Sequence, residues 1–292
     1  MELSQLAIFL AVAEERSFSR AAQKLLRTQP AISLAVQRLE AELGETLVDR
    51  SLKDGTLTEA GKVVYEYARK LQNTSRGLTN ALTELRDHHT GRLTIGANES
   101  GALYLLAHIR QFRTLYPGVK VEVRRSLSSR IPSDVLDNSI ELGVVSYEPS
   151  DRTLHSQVIY TDSLCFVVFP AHPLVGRKEA KISELGHETF IAHNVLSPYR
   201  QHVVRAFQKH RVDLNMDVEM PTLETIKQAV VHQMGVAFLP RMTVQAELQS
   251  GALVEVPVKE LKVERKIRLV HPSRRQLSHA ARAFLAVVQT SK

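Results

Sequence analysis

Residues 17–50 read SFSRAAQKLLRTQPAISLAVQRLEAELGETLVDR, and LTEAG follows at 57–61. Ser19 is a predicted N-cap for a short helix, because its hydroxyl can accept a backbone N–H that lacks a partner inside the helix. Thr28 is predicted to cap a second helix, and Pro30 is tolerated there because the first turn makes no intrahelical N–H bond. The stretch therefore predicts two helices joined by a short turn at 27–28.

Apolar residues at helical spacing predict another helix before this pair and assign the buried faces. The predicted core positions are Leu3, Leu6, Phe9, Leu10 and Ala13 in the first helix, Ala21, Ala22 and Leu25 in the second, and Ile32, Val36, Leu39 and Leu43 in the third. The third helix then presents Gln29, Ser33 and Gln37 on its other side, with Arg38 beside them. This is typical of a helix-turn-helix that reads DNA, since glutamine can bond adenine edges and arginine can hold phosphate. An ordinary three-helix bundle with a polar surface is the alternative.

The charge distribution gives only local support for nucleic-acid binding. The net charge is +7, but residues 1–90 hold twelve basic and twelve acidic residues, so the excess lies in 91–292. Residues 16–39 contain no acid, and their basic residues are Arg16, Arg20, Lys24, Arg27 and Arg38. Such a patch can meet phosphate even when its domain is neutral, although a solvated helix face would look the same.

Composition excludes several classes of protein. The 292 residues are 43% hydrophobic and 24% charged, which is typical of a globular chain of about two domains. The longest apolar run, 164–171, is far shorter than the roughly 20 residues of a membrane helix. The single cysteine, Cys165, cannot form an internal disulfide, and its apolar surroundings favour a buried structural thiol over a redox sensor. We therefore expect a cytoplasmic protein that makes no membrane contact.

The opening sixty residues resemble the N-terminal signature of the LysR-type transcriptional regulators. The match consists of the alanine pair 21–22, Gln-Pro-Ala at 29–31, Arg-Leu-Glu at 38–40, the Leu-Gly turn at 43–44 and LTEAG at 57–61. The resemblance implies a winged helix-turn-helix domain, which is all-α with a small β wing. It also implies that residues of this domain lie near the bases and the backbone of the DNA. The implied and predicted DNA-binding residues are Thr28, Gln29, Pro30, Ser33, Leu34, Gln37, Arg38 and the wing arginine Arg50. Two positions depart from the family pattern: Leu34 replaces a common basic residue, and Val48 replaces an aromatic residue before Asp49-Arg50.

A heptad seam follows the signature. Thr58 is predicted to cap a helix that runs to about His88, with seam positions Val64, Ala68, Leu71, Ser75, Leu78, Leu82 and Leu85 at alternating steps of four and three. An exposed seam of this kind favours a homodimer, and packing onto the chain's own domain is the alternative. The family resemblance implies dimers through this helix and a tetramer made of two dimers.

The remainder of the chain predicts an α/β domain. Strands are expected at 92–97, 119–123, 142–145, 164–169, 190–192, 236–239, 254–256 and 267–270, with a loop at 98–101 and helices ending near 115 and starting after 198, after 222 and at 278. We expect largely parallel strands arranged as two small sheets. Residues 229–240, AVVHQMGVAFLP, resemble a segment of the LysR-type effector domain, which implies two lobes similar to periplasmic solute-binding proteins with a cleft between them.

This cleft is the predicted effector site. Hydroxyl residues are expected to begin three helices at Ser100, Ser197 and Thr222, and free N–H groups at helix N-termini favour an anion. The effector-binding residues that the family resemblance implies are Asn98, Glu99, Ser100, Gly101, Ser128, Ser146 and Thr222. Glu99 opposes the prediction, because its carboxylate would repel an anion, and the hydroxyls could serve only as helix caps.

Together these patterns predict a winged helix-turn-helix at 1–58, a linker and dimerisation helix at 59–88, a hinge at 89–91 and an effector domain at 92–292. Its lobes are predicted at 92–162 plus 270–292, and at 163–269. The predicted function is a DNA-binding regulator that responds to a small anionic metabolite. Its expected partners are promoter DNA, further copies of the chain and, for an activator, RNA polymerase. No cofactor or metal is expected. A solute-binding protein or an enzyme without DNA function is the alternative.

Overall fold

The computed structural model describes residues 1–49, 55–86 and 90–290, with the side chains of all of these except 83–86. The chain divides into two compact units. The first consists of Met1–Gly91 together with Ser133–Ile140, and the second of Arg92–Pro132 together with Glu141–Lys292.

Four helices make up most of the first unit and confirm the predicted order. They are α1 Leu3–Glu15, α2 Phe18–Lys24, α3 Gln29–Leu43 and α4 Glu59–Arg86. Phe9, Ile32 and Leu39 are fully buried in a shared core. Leu3 and Leu43 are 54% and 37% exposed, so their predicted place in that core is wrong. They are the first residue of α1 and the last of α3, where each helix extends past the core.

The helix-turn-helix begins at Ser17 rather than at the predicted Ser19. The Ser17 hydroxyl accepts the Arg20 N–H at 3.3 Å and caps α2, which already includes Ser19. The turn is closed by the Arg27 N–H, which donates to the Ala22 carbonyl at 2.9 Å while Leu26 takes a left-handed backbone with φ of 52°. This arrangement satisfies carbonyls at the end of α2 before α3 begins.

The wing is attached to both α3 and α4. Val48 forms an antiparallel bridge with Leu57. The Glu40 carboxylate of α3 accepts the N–H groups of Leu47 and Val48 at 2.9 and 3.2 Å. On the other side, Gly61 of α4 lies so close that a Cβ there would stand 2.0 Å from the Leu47 carbonyl oxygen. The predicted wing contact, Arg50, lies outside the described residues.

Only part of the heptad seam of α4 is exposed to solvent. Val64 and Ala68 pack against the core of α1–α3, so at these positions the alternative of packing onto the chain's own domain is correct. Leu71, Leu78 and Leu82 are 42%, 63% and 50% exposed.

Midway along α4, Arg69 and Asn73 bind the segment 133–140. Arg69 donates to the Asp137 carboxylate at 2.9 Å and to the Ser139 hydroxyl at 2.8 Å. Asn73 donates to the Asp137 carbonyl at 3.0 Å and is 8% exposed. This polar network was not predicted, and it explains why residues 133–140 group with the first unit.

The second unit alternates strands and helices, with α6 spanning the boundary between the units. Its strands are β1 Gly91–Ala97, β2 Val119–Arg125, β3 Leu142–Val145, β4 Leu154–Val168, β5 Thr189–His193, β6 Asn215–Met220, β7 Ala237–Pro240, β8 Val254–Glu255 and β9 Val263–Pro272. Its helices are α5 Glu99–Leu115, α6 Ile131–Leu136, α7 Pro198–Lys209, α8 Leu223–Val231, α9 Gln245–Ser250 and α10 His279–Thr290. The predicted strands all have counterparts, but β6 and the first half of β4 were missed because their sequences are polar.

The sheet arrangement differs from the prediction of two small, largely parallel sheets. Seven strands form one mixed sheet in the order β2-β1-β3-β9-β4-β7, with β8 also paired to β4, and only β5 and β6 stand apart. The pairs β3–β9, β9–β4, β4–β7 and β4–β8 are antiparallel, whereas β1–β3 and β5–β6 are parallel. The cause is the long β4–β9 ladder, which the short apolar segments alone did not reveal.

This ladder runs through both lobes. One lobe has a core that includes Ile95, Phe112 and Phe284, and Ile267 of β9 belongs to it. The other lobe covers both faces of β4, with Phe166 in one core and Cys165 in another. The fold is therefore a two-lobed α/β domain, as the family resemblance implied.

Candidate functional site

The exposed side of α3, together with Thr28 before it, is here called the recognition surface. Its members are Thr28, Gln29, Pro30, Leu34, Gln37 and Arg38, which are exposed, and Ser33, which is half-buried. Ile32, Val36 and Leu39 on the other side of the helix are 0% exposed. Burial of that apolar side holds the predicted DNA-binding residues of α3 on one surface.

The recognition surface carries groups that can read base edges. Gln29, Ser33 and Gln37 follow one another at intervals of four along α3, so they share one side of the helix. Glutamine can donate and accept two hydrogen bonds at an adenine edge, and Leu34, 48% exposed, can contact a thymine methyl group. The helix can therefore offer both polar and apolar contacts to a major groove.

The cations near the recognition surface are not equally available. Lys24 forms ion pairs with Glu15 at 2.8 Å and Glu14 at 3.1 Å, which raises its pKa through those hydrogen bonds. Arg27 and Arg38 have no carboxylate partner among the described residues. The acid-free stretch 16–39 therefore overstates the free charge, because acids from α1 reach Lys24 in space.

A cavity of about 750 Å³ lies between the two lobes of the second unit, and it is here called the effector cavity. Five of the predicted effector residues line it: Asn98, Glu99, Ser100, Ser128 and Ser146. Asn98 caps α5, since its side chain accepts the Gly101 N–H at 2.9 Å. The predicted loop at 98–101 and the predicted cap at Ser100 are therefore wrong, because Asn98 holds the N-cap position and α5 begins at Glu99.

Two predicted effector residues are outside the lining of the effector cavity. A Cβ on Gly101 would stand 3.0 Å from the Val144 side chain, so this glycine faces the strand below. Thr222 is half-buried and caps α8 by accepting the Thr225 N–H at 3.1 Å, so its hydroxyl already has a structural role. Its neighbour Leu223 lines the cavity in its place.

Three arginines that were not predicted line the effector cavity, and each has a carboxylate partner. Arg265 pairs with Asp162 at 2.8 Å, with both side chains less than 5% exposed. Arg200 pairs with Glu219 at 2.6 Å. Arg125 pairs with Glu99 at 3.3 Å. Two of these arginines come from elements far along the chain, so spacing in the sequence could not have grouped them.

Glu99, which lines the cavity, also contacts the start of α8. Its carboxylate accepts the Leu223 N–H at 2.7 Å, at the N-terminus of α8. The chain's own carboxylate therefore occupies one of the helix N-termini that the sequence suggested for an anionic ligand. Arg125, its partner, also donates to the Pro221 carbonyl at 3.5 Å, so both residues hold the turn that precedes α8.

Tyr199 and His193 complete the polar part of the lining. The Tyr199 hydroxyl donates to the Ser146 carbonyl, and its ring lies 4.7 Å from the Arg265 guanidinium. The His193 Nδ1 accepts the Val195 N–H at 3.0 Å, and burial lowers the pKa of this histidine. This lowering of the pKa disfavours a positive charge on His193 in the cavity.

Cys165 is predicted to be unreactive in the folded protein. It is 3% exposed, its Sγ–H donates to the Leu239 carbonyl at 3.3 Å, and burial raises its pKa to about 12. Because the thiolate is the reactive form, iodoacetamide at pH 8 should leave the native chain unmodified and should label it fully in denaturant, as mass spectrometry would show. Rapid labelling of the native protein would contradict this placement.

Neither a membrane span nor a metal cluster is present in the described part of the chain. No described helix is both long and apolar enough to cross a bilayer. Among the same residues, no three His, Cys, Asp or Glu side chains are grouped so that they could hold a metal ion.

Comparisons with known proteins match both units. A model described as a bacterial regulatory helix-turn-helix protein of the lysR family matches residues 3–62, and a LysR substrate binding domain model matches residues 86–292. A probable RuBisCO transcriptional regulator of Synechocystis sp. is 30% identical, covering 98% of this chain and 85% of that protein. The regulator CfxR of Cupriavidus necator is 31% identical over 98% of this chain and 91% of its own length.

Solved structures share the fold. The crystal structure of CbnR, a LysR family transcriptional regulator, has a TM-score of 0.76 at 20% identity and covers 100% of this chain and 99% of its own. Full-length CbnR in complex with its target DNA gives the same TM-score and identity, with full coverage of both chains. The regulatory domain of Synechocystis CcmR in complex with 2-PG has a TM-score of 0.63 at 26% identity, over 68% of this chain and 96% of that one.

A helix-turn-helix unit joined to a two-lobed α/β unit with a ligand-sized cavity is the architecture of a ligand-responsive regulator. The family models and full-length relatives show that this chain belongs to the LysR family of transcriptional regulators. It is a regulator and not an enzyme, since the relatives that match it over nearly its whole length are transcriptional regulators.

Proposed function

We propose that this regulator binds promoter DNA by placing the recognition surface in the major groove, with the predicted contacts at Gln29, Ser33, Leu34, Gln37 and Arg38. The observation that carries the proposal is the division of α3 into a fully buried apolar side and an exposed polar side. Thr28 and Pro30 are proposed to lie near the DNA backbone, and Arg50 is proposed as the wing contact on the strength of the family signature alone. The complex of CbnR with its target DNA supports this mode of binding.

The salt dependence of binding tests the proposal. Duplexes selected from genomic fragments should bind the full-length protein with an affinity that falls linearly in a plot of log K against log salt, because phosphate contacts release counterions. Fluorescence anisotropy at several salt concentrations would measure the slope. A flat plot would contradict a phosphate-bound complex.

We propose that two copies of the chain pair through the second half of α4, and that two such dimers form a tetramer. Leu71, Leu78 and Leu82 support this because they expose an apolar stripe at heptad spacing on a helix whose first half is already packed. A pair of recognition surfaces would then read two half-sites.

Leu78→Glu combined with Leu82→Glu is expected to abolish this pairing, because two buried charges would face each other across the seam. Light scattering after gel filtration should show loss of the tetramer at micromolar concentration, with no species larger than a dimer. Val63→Glu is the matched control, since Val63 is 59% exposed on the same helix but lies off the seam. A double variant that keeps the mass of the native assembly would refute the proposed interface.

We propose that the effector is a small anionic molecule bound in the effector cavity, with Asn98, Glu99, Ser100, Ser128 and Ser146 at the site and Gly101 and Thr222 supporting it from the starts of α5 and α8. The Nε of the buried Arg265, which has no hydrogen-bond partner among the described residues, supports an anion, as does the 2-PG complex of the CcmR domain. A thermal-shift screen of the full chain with small acids and their matched amides tests this. Stabilisation by neutral or cationic compounds alone would contradict it.

The remaining assignments also belong to this proposal. We propose domain boundaries at 58, 88 and 91, and a division of the effector domain into lobes at 162 and 269; the break between the compact units after Gly91 supports the boundary at 91. We further propose that the protein acts in the cytoplasm, needs no metal or organic cofactor, and contacts RNA polymerase if it activates transcription. Transcription in vitro with and without purified regulator would test the last of these.

A further inference from the structure

The floor of the effector cavity is apolar. It is formed by Leu164, Phe190, Val203, Ile226, Phe238 and Met216, which come from strands and helices of the second lobe. Leu196, which is 73% exposed, extends this apolar surface to the edge of the cavity. Burying an apolar ligand body against such a surface is favourable, whereas a sugar or other hydroxylated compound would lose hydrogen bonds to water there.

The positive charge of the cavity is already compensated within the chain. Asp162, Glu219 and Glu99 lie within 3.3 Å of the three lining arginines, one carboxylate for each. A compact ligand with two or more anionic groups needs several uncompensated cations, because charges taken out of water must be paired. The described lining does not offer them.

Glu99 in particular disfavours the binding of a ligand that carries a second anionic group. It occupies the α8 N-terminus with a carboxylate oxygen 2.7 Å from the Leu223 nitrogen. A ligand phosphate would have to displace it or lie beside a like charge, and both cost free energy.

One buried donor beside the cavity lacks a partner within the described part of the chain. Arg265 is 3% exposed, and its Nε has no hydrogen-bond partner among the described residues, although its two terminal nitrogens bond Asp162 and Ser100. A buried N–H of this kind is costly unless a bound molecule or water accepts from it. Ser100 and Tyr199 lie beside the same guanidinium, so this corner can hold a single acidic group.

We infer that the effector is an acid with one anionic group on a sizeable apolar body, not a compact polyanion such as a sugar phosphate. The anionic group lies near Arg265 and Ser100, and the apolar body lies along the half-buried Leu164, Met216 and Phe238. This inference rests on the proposed effector function and narrows its ligand class.

Calorimetry on the full-length protein with a matched series tests the inference. Octanoate, suberate and octanol share an eight-carbon chain and carry one, two and no carboxylates, and 2-phosphoglycolate serves as a compact polyanion. Octanoate should bind at least about tenfold more tightly than each of the other three. Tighter binding of suberate or 2-phosphoglycolate would overturn the inference but leave the proposed anionic effector in place. Absence of binding by all four compounds would overturn both.

Two variants locate the binding and test the role of Glu99. Leu196→Asn should weaken octanoate binding about threefold to fivefold. Leu115→Asn is the control, since Leu115 is an exposed leucine outside the lining, and it should bind octanoate as the native protein does. Equal octanoate affinities of the two variants would overturn the inference.

Glu99→Gln should improve suberate binding about fivefold relative to octanoate, because it removes the competing carboxylate. Glu224→Gln, in the first turn of the same α8, is the control and should keep the native preference. An unchanged preference in Glu99→Gln would overturn the assignment of that residue.

Discussion

Gln29→Ala is expected to weaken binding to the selected duplex by about tenfold to a hundredfold, since a glutamine that bonds a base edge contributes about 1–3 kcal/mol of discrimination. Gln29 opens α3 on the exposed side, away from the buried Ile32 and Val36. The substitution therefore removes an amide from the recognition surface without disturbing the core. Thermal unfolding of the variant should match that of the native protein.

The loss of affinity in Gln29→Ala should be confined to sequence-specific DNA binding. Affinity for a scrambled duplex at low salt should change by less than about twofold, because phosphate contacts supply non-specific binding. Gln249→Ala provides the matched control, as Gln249 is an exposed helical glutamine in α9 of the second unit. A Gln29→Ala variant with full specific affinity would show that this side chain does not read bases.

Gly61→Ala is expected to destabilise the first unit by about 3 kcal/mol, at the upper end of overpacking effects. The new Cβ would stand 2.0 Å from the Leu47 carbonyl oxygen and 2.9 Å from its carbon, so α4 and the start of the wing would have to separate. This separation would also strain the hydrogen bonds that the Glu40 carboxylate accepts from the Leu47 and Val48 N–H groups. Calorimetry or circular dichroism would measure the effect as a lower unfolding temperature of the first unit.

Gly77→Ala is the control in the same helix. Nothing lies within 4 Å of a Cβ at Gly77, so alanine should raise helix stability by about 0.5–1 kcal/mol through its better helix propensity. Opposite signs for the two glycines are the expected result. Equal small effects would mean that α4 does not approach the wing closely.

The first unit could be predicted well because its determinants are local. The spacing of apolar residues and the alanine pair lie within a few residues of the structures they specify. Thr28 holds the predicted N-cap position of α3, but its side chain makes no capping hydrogen bond. Errors occurred where two neighbours compete for one role: Ser17 takes the cap position that Ser19 could also have filled. The exposed ends Leu3 and Leu43 were misassigned because periodicity does not indicate where a core stops.

The effector cavity could be predicted only in part. Asn98 and Ser146 were implied by the family resemblance, and both directly follow strands, β1 and β3, in agreement with the rule that ligands bind beyond strand ends. Arg200 and Arg265 come from α7 and β9, and only the long antiparallel β4–β9 ladder brings the second of these to the cavity. The role of Glu99 also depends on a contact with Leu223, which lies 124 positions further along the chain.

The most direct test of the central claim is photocross-linking from the recognition surface. A benzophenone amino acid in place of Leu34, which is 48% exposed on α3, should cross-link the full-length protein to the selected duplex at a position that sequencing can map within each half-site. The same group in place of Leu115, in the second unit, should give no such product. Specific binding with no cross-link from position 34 would contradict the claim that α3 reads the DNA.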